Sequence, residues 1–194
     1  NLALAVGAGV ASGSGLTVGH ELGHKPDWPA QLGAKLVNAV TGYAHFCIEH
    51  NRGHHIMVAT PEDPASARFG ENVYRFALRE LPGTARRGWA MERDRLTKKG
   101  LPFWHWRNDL LQGYAITLAV AIALALWLGP WVLPFVVLHH FVGWLQLTLA
   151  NYVEHYGLLR RKLPSGRYEP CQPHHSWNTN HIASNLMLFH LQRH

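Results

Sequence analysis

LLQGYAITLAVAIALALWLGPWVLPFVVLHHFVGWLQLTLANY, residues 110–152, is the stretch that decides the fold, and it contains no Asp or Glu. A Gly129-Pro130 turn divides it into runs 110–128 and 131–152, each close to the roughly 20 apolar residues that cross a bilayer. Trp127 and Trp131 flank the turn, where aromatic side chains meet lipid headgroups, which argues against buried helices of a soluble protein. Residues 2–19 form a third uncharged run, rich in Ala, Val, Leu and Gly. The three runs predict an all-α fold, a multi-pass integral membrane helical bundle. His139 and His140 are unusual inside a span and are therefore candidates for function.

The charge outside these runs predicts topology. The net charge is +6, with the basic residues concentrated in 52–107 and 160–167, each beside an apolar run, as in cytoplasmic loops. They are not interleaved with aromatics along one stripe, so nucleic acid is not the expected partner. With residues 20–109 and 153–194 cytoplasmic, the first span ends on that face, the second leaves it and the third returns. The whole chain then reads as part of one membrane domain. Residues 25–48 are too few for two more crossings, so 30–48 is expected to dip in and return, or to lie along the surface; Lys35 and Asn38 argue against a full span. Within 62–100, Glu71, Arg75, Arg79 and Glu80 are spaced as on an exposed helix face, with Arg86-Arg87 and Lys98-Lys99 as surface doublets. This predicts a solvated subdomain, with docking of an acidic partner as the alternative. The start at Asn1, without Met or a basic leader, reads as an internal fragment. Cys47 and Cys171 form no CxxC pair; Cys47 reads as buried filler in a reducing compartment.

Six of the fifteen histidines stand in three clusters, HELGHK (20–25), EHNRGHH (49–55) and EHYG (154–157), and His194 ends the chain in LQRH. Neutral imidazole is the commonest metal ligand. On a helix His20 and His24 lie one turn apart and reach one ion, whereas adjacent His54 and His55 diverge by about 100° and favour, with His50, a two-metal site. His155 enters from a third direction at the end of a span. Without a cysteine cluster or an acid-rich set, imidazole leaves zinc, copper, iron and nickel open. Glu21, Glu49 and Glu154 each adjoin a cluster histidine; they read as carboxylates that offset metal charge and orient imidazole N–H groups, with surface salt bridges as the alternative.

HELGH is also the HExxH of zinc peptidases. Such an enzyme would want an acidic ligand from a later span, and it gives no reason for the other clusters. A metal transporter would spread its ligands across the bilayer rather than gather them on one face. His174 and His175 are expected at the site's rim, His190 one turn before His194 as a neighbour, and His45 and His105 at the membrane interface. His139 and His140 lie several helical turns from His155, too far to share its metal.

HELGHK, EHNRGHH, NYVEHYGL (151–158) and the terminal LFHLQRH together resemble the alkane 1-monooxygenases, integral-membrane non-haem diiron hydroxylases of the wider desaturase and hydroxylase group. The resemblance covers nearly the whole chain. HxxxH and HxxxHH alone fit a fatty-acid desaturase equally; EHYG and LQRH select the alkane hydroxylases. The resemblance implies His20, His24, His50, His54, His55, His155 and His194 as ligands of two irons, with Glu21, Glu49, Asn151, Glu154 and His190 around them. In that family the last motif continues with two further histidines, so the site of the isolated 194-residue chain is expected to be incomplete and inactive. The implied reaction is terminal hydroxylation of medium- or long-chain n-alkanes to primary alcohols with dioxygen. Electrons would come from rubredoxin, served by rubredoxin reductase, at a bacterial inner membrane with the active site toward the cytoplasm. A membrane fatty-acid desaturase or hydroxylase is the alternative.

Overall fold

The computed structural model describes residues 1–179, 181, 182 and 184, and within them the chain is all-α apart from one isolated bridge between Lys162 and Tyr168. The helices are α1 (Leu2–His24), α2 (Trp28–Val40), α3 (Phe46–Glu49), α4 (His55–Met57), α5 (Val73–Lys98), α6 (Asp109–Leu128) and α7 (Leu133–Glu154). Asn1, Asp27, Asn72 and Asn108 start four of them, each accepting a hydrogen bond from a backbone N–H that the helix leaves without an internal partner. Gly129, at φ +86°, ends α6, and Pro130 opens the turn into α7.

Among the described residues three helices are long and apolar enough to cross a membrane: Leu2–His24, Asp109–Leu128 and Pro130–Glu154. They coincide with the predicted runs, each slightly longer. Only 11 % of the apolar window of α6 is buried, and Leu118, Ile122 and Leu126 face outward, which suits lipid far better than water. Helices α1 and α7 lie in close contact and run in the same direction. A Cβ on Gly9 would stand 2.6 Å from that of Val142, and one on Gly13 would overlap Gln146. Glycine therefore permits a backbone approach that larger residues forbid. Both helices deliver their C-terminal ends to the same place.

Residues 30–48 do not form one helix. Helix α2 starts beside the end of α1, where Gln31 Nε2 donates to Gly23 O at 2.9 Å. It runs back along α1 until Val37 packs toward Gly19, and it stops at the mid-length of α7. There His140 Nε2 donates to Val40 O (3.1 Å) and Trp144 Nε1 to Thr41 O (2.7 Å), satisfying carbonyls that a helix end leaves open. His139 is likewise engaged, with Ser12 Oγ at 2.7 Å. The chain then returns through a core of Leu16, Tyr43, Phe46 and Leu147. His45, expected at the interface, is buried on this return and hydrogen-bonded to Tyr114 Oη at 2.7 Å.

Helix α5 corrects the expectation of a solvated charged face. Glu80 and Glu92 are 1 % and 0 % exposed, and Arg87 turns inward while its neighbour Arg86 stays outside. Thr148 of α7 donates to Glu80 at 2.8 Å, and Glu92 accepts from the backbone N–H of Asp109 at 2.7 Å. Glu80, Thr84, Arg87, Gly88 and Glu92 recur at helical spacing and make one polar inward face.

Candidate metal centre

Ring nitrogens of His20, His24, His50 and His55 all lie within 4.8 Å of one another. Helix α1 supplies the first two from its last turn, their Nε2 atoms 3.1 Å apart. The other two come from a stretch that is not α-helical. Residues His50–His54 form a π-helical turn, whose wider i→i+5 register sets His50 and His55 side by side with Nε2 atoms 3.0 Å apart. Two nitrogens bound at right angles to one ion at ~2.1 Å stand about 3.0 Å apart, so both spacings suit shared ligation.

His54 leaves the π turn in another direction and meets His155, the residue that follows α7, at 4.8 Å between ring centroids. Six of the seven histidines expected as ligands therefore gather at one end of the molecule. His190 and His194 lie outside the described residues. Burial pushes His55 down to about 4 and His155 to about 3, keeping both neutral and able to ligate near neutral pH. The C-terminal ends of α1 and α7 also point here, and their partial negative charge favours a cation.

The supporting residues are only partly those expected. Glu49 is 3 % exposed and is gripped by Arg87 rather than by a histidine. Burial raises its pKa, against the pull of Arg87. Asn151 reaches Glu80, at 3.3 Å, and not the cluster. Glu21 is half-buried and acts on His24 through its charge; Glu154 is buried, and its charge reaches His54. His175 is buried against the His155 segment, whereas His174 is exposed. Cys47 is not aimed at the cluster: Asn38 Nδ2 donates to its sulfur at 3.0 Å, and burial pushes the thiol up to about 11.

The residue missed is Asp63. It is 1 % exposed; one carboxylate oxygen accepts from His54 Nδ1 at 2.8 Å and Ser66 Oγ at 2.7 Å, the other from Arg87 at 2.6 Å. Burial opposes its ionisation, but His54 and Arg87 outweigh it and hold the carboxyl well below the usual range. Asp63 raises His54 in return, again against burial. The signal was legible, since Asp63 stands between Pro61 and Pro64 in PEDPAS, just past the double histidine. A carboxylate on Nδ1 fixes the tautomer that leaves Nε2 for a metal. Imidazoles gathered in this way and backed by such a carboxylate fit a divalent transition metal, and geometry alone does not select which.

Known proteins resemble the chain along its whole length. The chain is 53 % identical over 193 residues to an alkane 1-monooxygenase of Pseudomonas putida, an alignment covering 100 % of this chain and 48 % of that protein. It is 54 % identical, with the same coverage, to alkane 1-monooxygenase 1 of Alcanivorax borkumensis. The xylene/toluene monooxygenase hydroxylase component XylM of Pseudomonas putida is 30 % identical over 163 residues, 84 % of this chain and 43 % of its own length. The chain thus spans about half the length of these relatives. The model of the family described as fatty acid desaturase matches residues 1–194, from one end of the histidine framework to the other, and the chain belongs to that family.

Proposed function

We propose that this chain is the metal-bearing part of a membrane hydroxylase that converts n-alkanes to primary alcohols with dioxygen. The observation that carries the reading is the identity of 53–54 % to alkane 1-monooxygenases over the whole chain. A relative named as a xylene/toluene monooxygenase component supports hydrocarbon hydroxylation over acyl desaturation. Two non-haem irons are the proposed cofactor, held by His20, His24, His50, His54, His55, His155 and His194. When bound, they supply reductive activation of dioxygen toward a C–H bond.

The protein's own contribution follows from the geometry. Asp63 holds the His54 ring, while the ends of α1 and α7 offset positive charge. The three spans set this end of the bundle beside lipid, so an alkane dissolved in the bilayer reaches it without crossing water. We place the histidine end at the cytoplasmic face of a bacterial inner membrane, where rubredoxin, reduced by rubredoxin reductase, would deliver electrons to the basic surface.

The test uses the full-length protein with its reductase chain. Supplied with n-alkanes and labelled dioxygen, it should give labelled primary alcohols, and fatty acyl substrates should give no desaturated product. His50→Ala should abolish the alcohol and lower bound iron. Full activity in that variant, or acyl desaturation by the wild type, would overturn the reading.

A further inference from the structure

We propose that a groove on the outer face of α5, formed by Arg86, Trp89, Arg93 and Phe103, binds the phosphate headgroup of an anionic phospholipid. Arg86 and Arg93 are two helical turns apart and so share one face. Both are exposed, and whereas Arg79, Arg87 and Arg95 of the same helix each pair with a carboxylate, these two pair with none among the described residues. Between them the groove, of about 540 Å³, has an apolar floor of Ala85, Ala90, Trp89 and Phe103. The two aromatic rings are stacked, with centroids 5.4 Å apart.

Depth selects a lipid as the occupant. Trp89 also stacks on Tyr114, at 5.9 Å, and Tyr114 lies in the second turn of α6, so the floor sits level with the start of a span. Trp104 and Trp106, 79 % and 71 % exposed, precede that span, and the Arg107 guanidinium lies 5.1 Å from the Trp106 ring. Exposed tryptophan with arginine marks the headgroup layer. A phosphate there meets two guanidinium groups while the adjoining chain covers the stacked rings. A soluble acidic protein would dock above this level.

The inference rests on α6 crossing the bilayer and is independent of the reaction. The test is native mass spectrometry of the full-length protein in detergent with added phosphatidylglycerol or phosphatidylcholine. Wild type should retain phosphatidylglycerol selectively. At roughly fivefold per basic residue, Arg86→Ala with Arg93→Ala should weaken retention about 25-fold, and Arg93→Gln alone about fivefold. Iron content and melting temperature should be unchanged. Equal retention by wild type and variants, equal retention of both lipids, or displacement by inorganic phosphate would overturn the proposal. Release of the full-length protein from membranes by carbonate would overturn it one step earlier, at the span.

Discussion

Asp63 shows how one side chain organises a site without belonging to any histidine motif. Its two oxygens join His54 to Arg87, which in turn holds Glu49, the residue before His50. Asp63→Ala should free the His54 ring and weaken one of two proposed metal positions by roughly 10–100-fold, leaving the four-histidine group loaded. Metal analysis of the full-length protein should then approach half the wild-type iron, with Asp63→Asn between the two. Wild-type content in Asp63→Ala would sink the positioning role. Glu80 makes a second prediction at this scale. Burial pushes its carboxyl up to about 7, so between the ordinary range near 4.5 and that value the unfolded chain releases a proton the folded chain keeps. Glu80's own contribution to stability should therefore fall as pH rises through this window, by on the order of 3 kcal/mol, and level off above it. Melting scans of Glu80→Gln should lack that slope.

Among the elements, the π turn and the close pair α1 and α7 decide the geometry. The reading of 49–55 as α-helix correctly separated His54 from His55 but did not place His50 beside His55; that pairing needs the wider turn. The turn is fastened from outside: Asn51 donates to Gly23 O at 2.8 Å, and Gly53 admits Arg87 and Met91. Such anchors join residues far apart in sequence, so local spacing does not announce them. For α1 and α7, Gly9→Leu should force the helices apart and carry His20 and His24 away from His155. A cost of about 1–3 kcal/mol is expected, read as a lower melting temperature together with lost iron. Unchanged values would show that the close approach is dispensable.

At the scale of the whole molecule, the two cysteines report sidedness. Cys171 is exposed beyond α7, on the side of the histidine end, while the Cys47 thiol is half-buried and hydrogen-bonded. An impermeant maleimide should label Cys171 in inside-out vesicles and not in intact spheroplasts, and Cys47 only after unfolding. Labelling of Cys171 from the outside would reverse the orientation proposed here. The sequence by itself determined the three apolar helices, because lipid-length runs without charge have few other solutions, and their parity sent the histidine clusters to one end. It also determined the family, through motifs whose order and spacing survive without coordinates. Only the tertiary structure decided that α2 stops at the mid-length of α7, that Glu80 and Glu92 of α5 face inward, and that Asp63 and Arg87 stand behind His54. Those outcomes depend on which buried polar groups find partners across long sequence distances, and a charged residue on a helix reads the same whether it will meet water or another charge.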